Sequence, residues 1–178
     1  GWNLMRERVG KAYQLLRDKP IKPSSDCPGR YYILIKIARA QGWSKEKYDA
    51  LFHEAVSFEP GFHAYYMEKA FYITPRWGGY DGEWQQFAEE AVKLTPKSEG
   101  TGIYTRILRS MWVMMKEFKD FNDPSVSWSK MKQGFLDMEK AYPNSLYNLN
   151  SFCLFACIAG DKETAKALLT PRRAMPCV

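Results

Sequence analysis

The sequence lacks an apolar run long enough to cross a membrane. A spanning helix needs roughly 20 consecutive apolar residues, whereas the longest apolar stretch, from Ser151 to Ala159, is about half that length. The sequence therefore predicts no membrane span. Disorder is also excluded, because 46% of the 178 residues are hydrophobic and 15% are aromatic. Rings in that number can offset the chain entropy lost on folding.

Cysteine is scarce, which argues against a disulfide scaffold. The four cysteines are too few and too unevenly spaced to form one. Cys153 and Cys157 share one helix face, and their apolar neighbours indicate small core residues. This cysteine usage favours a reducing cytoplasm. A signal peptide could have preceded Gly1, which would place the protein in another compartment.

Histidine is scarcer still, with only two in the chain. His53 and His63 lie ten positions apart with Pro60 between them, whereas a metalloprotease helix places its two zinc-binding histidines four residues apart. His53 is interpreted as a residue on a helix face and His63 as part of an opening turn. The sequence predicts no metal and no cofactor.

Catalytic motifs are missing as well. The chain has no Gly-x-Ser-x-Gly elbow, no phosphate-binding glycine loop and no dinucleotide fingerprint. Gly78 and Gly79 lack the following lysine and the helix start that a phosphate would need. We predict no catalytic residue, and an enzyme of unknown reaction stays an alternative.

Apolar residues at helical spacing are present almost everywhere, and no comparable stretch alternates with period two. Three prolines between Lys19 and Pro28 forbid a helix there and predict a linker. The spacing predicts helices over 2–18, 29–41, 45–58, 62–74, 82–94, 101–118, 126–141, 145–159 and 162–169.

An internal repeat joins these helices into pairs. A glycine, an apolar helix and a closing proline follow one another from Gly42 to Pro60 and again from Gly79 to Pro96, which is 18 and 17 residues. A third closing proline is Pro143, so these prolines lie 36 and 47 residues apart. The order resembles tetratricopeptide repeats, whose period is 34 residues. That resemblance implies an all-α fold, a right-handed α-α superhelix of degenerate helix pairs.

One loop resembles a narrower family. The sequence Pro75-Arg76-Trp77-Gly78-Gly79 looks like the signature of a bacterial domain family of unknown function that has tetratricopeptide-like helices, and further matches extend over residues 29 to 170. This resemblance implies a fold and a bacterial source but no reaction. We expect an N-terminal helix and linker in 1–28, a repeat domain in 29–170 and a tail in 171–178.

The signature loop has a structural interpretation. Pro75 ends a helix, Gly78 and Gly79 permit positive φ in a tight reversal, and Trp77 plugs the seam between helix pairs. On this interpretation, truncating Trp77 to alanine costs about 3–5 kcal/mol. The alternative is that Arg76 or Trp77 contacts a ligand directly.

Tetratricopeptide-like pairs line a concave groove with the first helix of each pair. Registering the helices on Gly42 and Gly160 predicts a basic and aromatic groove, and the alternative is an ordinary solvated face. The predicted groove residues are Tyr32, Lys36, Arg39, His63, Tyr66, Lys69, Arg106, Arg109, Tyr147 and Asn150.

These groove residues indicate a non-catalytic module that binds a protein or peptide. The formal charge of the whole chain, +6, favours an acidic partner. Lys36 and Arg39 lie three positions apart, so they could converge on one carboxylate. Single-stranded nucleic acid is the alternative, with the rings as stacking platforms. It is less favoured because acidic residues interrupt the basic run, namely Glu46, Glu54, Glu59 and Glu68.

The last helix of a repeat array must have its outer face covered. We expect Ala165, Leu168 and Leu169 to be covered by the short tail, by a second copy of the chain in a homo-oligomer, or by a further helix.

Overall fold

The computed structural model describes residues 1–17, 27–116 and 118–169. The regular structure of these residues is helical throughout and includes no strand, so the all-α prediction is confirmed. Within the same ranges, none of the helices combines the length and the apolar character that a membrane span requires. The predicted tail 171–178 and most of the predicted linker lie outside the described residues.

The helices occur where the apolar spacing predicts them, with small differences at their ends. A 3₁₀ turn at Pro75–Trp77 precedes the fifth helix, and a π turn at Met111–Met115 extends the sixth. In chain order they are α1 (Trp2–Arg17), α2 (Pro28–Ala40), α3 (Lys45–Phe58), α4 (Ala64–Tyr72), α5 (Glu83–Leu94), α6 (Gly102–Ser110), α7 (Trp128–Ala141), α8 (Leu146–Ile158) and α9 (Lys162–Leu169).

Pro28 belongs to a helix rather than to the predicted linker. It occupies one of the first positions of α2, where its fixed φ suits the helix and its missing N–H would have no partner inside the helix anyway. The helix predicted at 101–118 ends earlier, because Lys116 adopts φ 54° after the π turn. Both differences concern helix ends, which depend on local backbone geometry more than on the apolar stripe.

Two helix ends share one hydrogen-bond pattern. Gly42 follows α2 with φ 65° and Gly160 follows α8 with φ 69°, a conformation that favours glycine. Trp43 N donates to the Ala38 carbonyl oxygen at 3.0 Å, and Asp161 N donates to that of Ala156 at 2.9 Å. Both are Schellman motifs, which satisfy the last carbonyls of a helix.

The chain divides into two compact units, 1–87 and 88–178, and the boundary falls within α5. In unit 1, α2 packs against α1, α3 and α4, and α3 also packs against α4. In unit 2, α7 packs against α6 and α8, and α8 packs against α9. Aromatic side chains fill the core of each unit, led by Tyr48, Phe52 and Tyr65 in unit 1 and by Phe135 and Phe155 in unit 2.

The prediction that Cys153 and Cys157 are core residues is wrong. Cys157 is exposed and Cys153 is only half-buried. The helix α8 is apolar on most of its surface, so the sequence does not reveal which side faces inward. The structure buries the side that carries Phe152, Phe155 and Ala156.

The helix α9 packs against α8 in unit 2. Ala165 and Leu168 are buried, whereas Leu169 is 70% exposed. The predicted cover by the tail involves residues that lie outside the described ranges, so what covers this face stays a prediction.

Candidate binding surfaces

The signature loop makes a tight reversal with two different glycines. Gly78 has φ 104°, as predicted. Gly79 does not have positive φ; instead, a Cβ at this position would lie 1.9 Å from the Ile73 carbonyl oxygen. The Gly79 N–H donates to the Thr74 carbonyl oxygen at 3.1 Å, which holds the loop against the end of α4. One glycine is thus needed for its backbone angle and the other for close approach.

Trp77 is not the buried plug that the sequence predicts. Trp77 is 39% exposed, and the neighbouring Arg76 is exposed as well. The 3₁₀ turn places the Trp77 ring on the surface beside α2, where the guanidinium carbon of Arg39 lies 5.1 Å from the ring centroid. The same carbon lies 4.8 Å from the centroid of Phe71 on α4.

These contacts define the α2–α4 surface of unit 1, which consists of Tyr32, Lys36, Arg39, Phe71 and Trp77. Lys36 is exposed, and its Nζ lies 5.1 Å from the Tyr32 ring centroid. No carboxylate of the described residues pairs with Lys36. Each cation of this surface therefore packs on an aromatic ring, an arrangement that stabilises it electrostatically.

Arg39 already has a carboxylate partner. Its Nη2 lies 3.2 Å from Glu68 Oε2 on α4, and both side chains are largely buried. Glu68 thus compensates the charge of Arg39, and the convergence of Lys36 and Arg39 on one external carboxylate stays a prediction. Lys36 has no such partner among the described residues, and neither has the exposed Arg76, whose guanidinium carbon lies 5.9 Å from the Trp77 ring centroid.

Two predicted groove residues of unit 1 are core residues instead. Tyr66 is fully buried, and its hydroxyl donates to the Pro60 carbonyl oxygen at 3.0 Å. Lys69 is 7% exposed, pairs with Asp49 and packs among aromatic rings, one of them Phe52. Burial lowers the pKa of Lys69, and the pairing with Asp49 opposes that shift. His63 is half-buried just before α4, with its ring near Phe62, so its predicted place in an opening turn is confirmed.

The predicted groove residues of unit 2 differ in the side chains that they contact. Arg106 Nε donates to Glu99 Oε2 at 2.7 Å, so its charge is compensated. Asn150 is exposed on α8. Arg109 and Tyr147 come together: the guanidinium carbon lies 4.4 Å from the ring centroid.

Arg109 is 9% exposed, and its hydrogen bonds to other described residues are long and go to neutral groups. Its Nη1 donates to Asn148 Oδ1 and to Ser151 Oγ, both at 3.4 Å. Burial is the main cause that lowers the pKa of this guanidinium, and the positive charge of Arg106 lowers it further. We call Arg109, Tyr147, Asn148 and Ser151 the Arg109 cluster.

The sequence prediction missed Asn148 and Ser151. A signal for Ser151 was available, because it lies four positions after Tyr147 and thus on the same face of α8. Asn148 gave no such signal: it is 9% exposed, and polar residues are rarely buried to that degree.

A cavity of about 630 Å³ opens between α1, α2 and α3 of unit 1. Its lining includes Tyr13, Leu34, Trp43 and Lys47, and none of the predicted groove residues contributes to it. In the described ranges, no three His, Cys, Asp or Glu side chains come close enough together to hold a metal ion.

No family model, curated protein or solved structure matches the chain. The resemblance to the bacterial family with the Pro-Arg-Trp-Gly-Gly signature therefore stays a prediction from the residues themselves.

Proposed function

We propose that the chain is a non-catalytic binding module of tetratricopeptide-like helix pairs that recognises an acidic segment of a protein or peptide. Two features support the repeat part of the proposal. Gly42 and Gly160 end α2 and α8 with the same Schellman motif. In unit 1, α2 packs on both α3 and α4, as the first helix of such a pair packs on its own partner and on the next pair.

The observation that carries the binding proposal is the α2–α4 surface. It combines the exposed ammonium of Lys36 with the rings of Tyr32 and Trp77, and Trp77 remains 39% exposed. Interface residues that dominate binding energy are enriched in Trp, Tyr and Arg. Lys36 can bind a carboxylate while the rings contact the adjoining apolar parts of the peptide.

Cation packing on the rings favours a peptide over single-stranded nucleic acid. Bases bind such proteins by stacking on open ring faces. Here Arg39 packs on Phe71 and Trp77, and Lys36 packs on Tyr32, so each ring already has a cation beside it.

Fluorescence anisotropy with three labelled probes tests the proposal: a decapeptide of alternating Glu and Ser, its Gln and Ser counterpart, and a ten-nucleotide oligothymidylate. We expect the chain to bind the Glu peptide best. Lys36→Met should weaken that binding by about threefold to tenfold, because a charge-assisted contact is lost. Its melting temperature should hardly change, since exposed charges contribute little to folding.

Lys47→Met is the matched control, because it removes another exposed lysine, which lies on α3 outside the α2–α4 surface. Equal losses from both variants would show that diffuse positive charge attracts the peptide, and the α2–α4 surface would then be rejected. Preferential binding of the oligothymidylate would replace the peptide proposal by the nucleic-acid alternative.

A further inference from the structure

Arg109 is a buried cation that has no counterion among the residues that the structure describes. The residue as a whole is 9% exposed, and no carboxylate of the described residues forms an ion pair with it. Its two hydrogen bonds, both at 3.4 Å, are longer than the usual 2.7–3.2 Å range for an N–H donor to oxygen. A buried charge is costly unless a partner of opposite charge compensates it.

The other buried and half-buried cations of the predicted groove have the partner that Arg109 lacks among the described residues. Arg39 pairs with Glu68, Lys69 pairs with Asp49, and Arg106 pairs with Glu99. Arg109 has an aromatic ring, an amide oxygen and a hydroxyl instead. It is thus the member of this set whose charge is compensated only by neutral groups.

Tyr147 controls access to the guanidinium. The guanidinium carbon lies 4.4 Å from the centroid of its ring, and the residue is 66% exposed, so the ring borders solvent. An arriving anion would then replace the weak contacts to Asn148 and Ser151 with charge-assisted ones.

We propose that the Arg109 cluster is a subsite for one carboxylate of a bound peptide. This inference rests on the function proposed above and identifies where unit 2 recognises the acidic group. A planar guanidinium can bind both oxygens of a carboxylate through two parallel hydrogen bonds. Tyr147 would pack beside the carboxylate-bearing side chain, because its ring stays at the surface.

The charge of the site favours a carboxylate over a phosphate monoester. Glu99 neutralises the adjacent Arg106, so the cluster offers one positive charge. A carboxylate carries one negative charge, whereas a phosphate monoester carries about 1.5 to 2 at neutral pH. A phosphate monoester would leave negative charge uncompensated beside a buried surface.

The decisive variant is Arg109→Met, which keeps the apolar stem and removes the charge. If the guanidinium awaits a carboxylate, the ligand-free melting temperature should stay the same or rise, because an uncompensated buried charge is gone. Affinity for a labelled peptide with one Glu in a Ser background should fall by about tenfold or more. Lys93→Met on α5 removes an exposed lysine of the same unit and should change neither quantity.

The one-Glu peptide and its Gln counterpart isolate the carboxylate. Wild-type protein should prefer the Glu peptide, and Arg109→Met should bind both equally. A ligand-free melting temperature several degrees lower in Arg109→Met would show that the guanidinium is a packing element, which would overturn the subsite. Displacement of the peptide by oligothymidylate at equal concentration would also overturn it.

Sodium acetate separates this inference from the proposed function. At equal ionic strength, acetate should raise the melting temperature of wild-type protein relative to chloride, because a ligand of the folded state stabilises it. The increase should vanish in Arg109→Met. If Lys36→Met weakens peptide binding while Arg109→Met does not, the binding module stands and the subsite is rejected. If acetate stabilises through Arg109 but no peptide binds, the peptide proposal fails and a small-carboxylate site remains.

Discussion

Two tryptophans of unit 1 differ in burial, and this difference predicts their contributions to stability. Trp84 is 2% exposed, whereas Trp77 is 39% exposed. Trp84→Ala should lower the free energy of unfolding by about 3–5 kcal/mol, as for a large core side chain. Trp77→Ala should cost clearly less. Urea denaturation of both variants measures this, and equal losses would restore Trp77 as a structural plug.

Asp161 makes the fold sensitive to acid. Its carboxylate accepts from Lys132 Nζ at 2.8 Å, from Trp128 Nε1 at 3.1 Å and from the backbone N–H and hydroxyl of Thr164. These contacts, the one to Lys132 foremost, hold the pKa of Asp161 well below its usual range. A depressed folded-state pKa stabilises the protein above the unfolded value of about 3.9 and loses that effect as pH falls.

Asp161→Asn should therefore flatten the pH dependence of the melting temperature below about pH 4. It should also lower the melting temperature at pH 7. The melting temperature of the variant should still fall somewhat with pH, because Asp137 also contributes to the acid sensitivity. The hydrogen bond from Thr101 lowers the pKa of Asp137. Thermal scans from pH 2 to pH 7 provide the measurement. Parallel curves for the variant and the wild type would contradict the assignment.

At the scale of elements, a glycine lets α6 and α7 pack closely. A Cβ on Gly134 would lie 2.1 Å from Thr105 Oγ1 and 2.4 Å from the Thr101 carbonyl oxygen. Thr105 closes the same contact by donating to the Met131 carbonyl oxygen at 2.8 Å. These distances leave no space for a methyl group, because backbone atoms of α6 cannot move aside as a flexible side chain can.

Gly134→Ala should lower the free energy of unfolding by about 1–3 kcal/mol or more, as overpacking does. Gly10→Ala is the matched control, because Gly10 also lies inside a helix but has no atom within 4 Å of an added Cβ. It should be neutral or stabilise by up to about 1 kcal/mol through helix propensity. Chemical denaturation compares the two. A loss of equal size at Gly10 would mean that glycine itself, rather than the helix contact, matters.

At the scale of the whole molecule, the net charge of +6 attracts any acidic partner, and salt reveals how many contacts hold it. A peptide held by one or two ion pairs should lose about tenfold or less in affinity between 50 and 200 mM salt. A nucleic acid held by many phosphates would lose about a thousandfold or more. The affinity for the Glu peptide, measured over this range of salt concentration, distinguishes the two classes of partner. A steep log-linear decline of the affinity with salt would favour nucleic acid.

The sequence alone determined the helical class and most helix positions. Such features depend on neighbours along the chain: apolar residues recur at helical spacing, Ser44, Ser127 and Ser145 cap the starts of α3, α7 and α8, and Gly42 supplies a left-handed turn. The tight reversal at Gly78 was predictable for the same reason.

Which side chains reach solvent and which charges are compensated depends on how the helices pack in three dimensions. Helical periodicity shows that residues share a face, but it does not identify the helix that covers that face. Lys69 is therefore buried while Lys36 stays exposed, although both were predicted in one groove. The carboxylate that pairs with Arg39 lies 29 positions away on another helix, and no carboxylate of the described residues pairs with Arg109. Distance in sequence carries no information about such pairs, because packing between helices sets them.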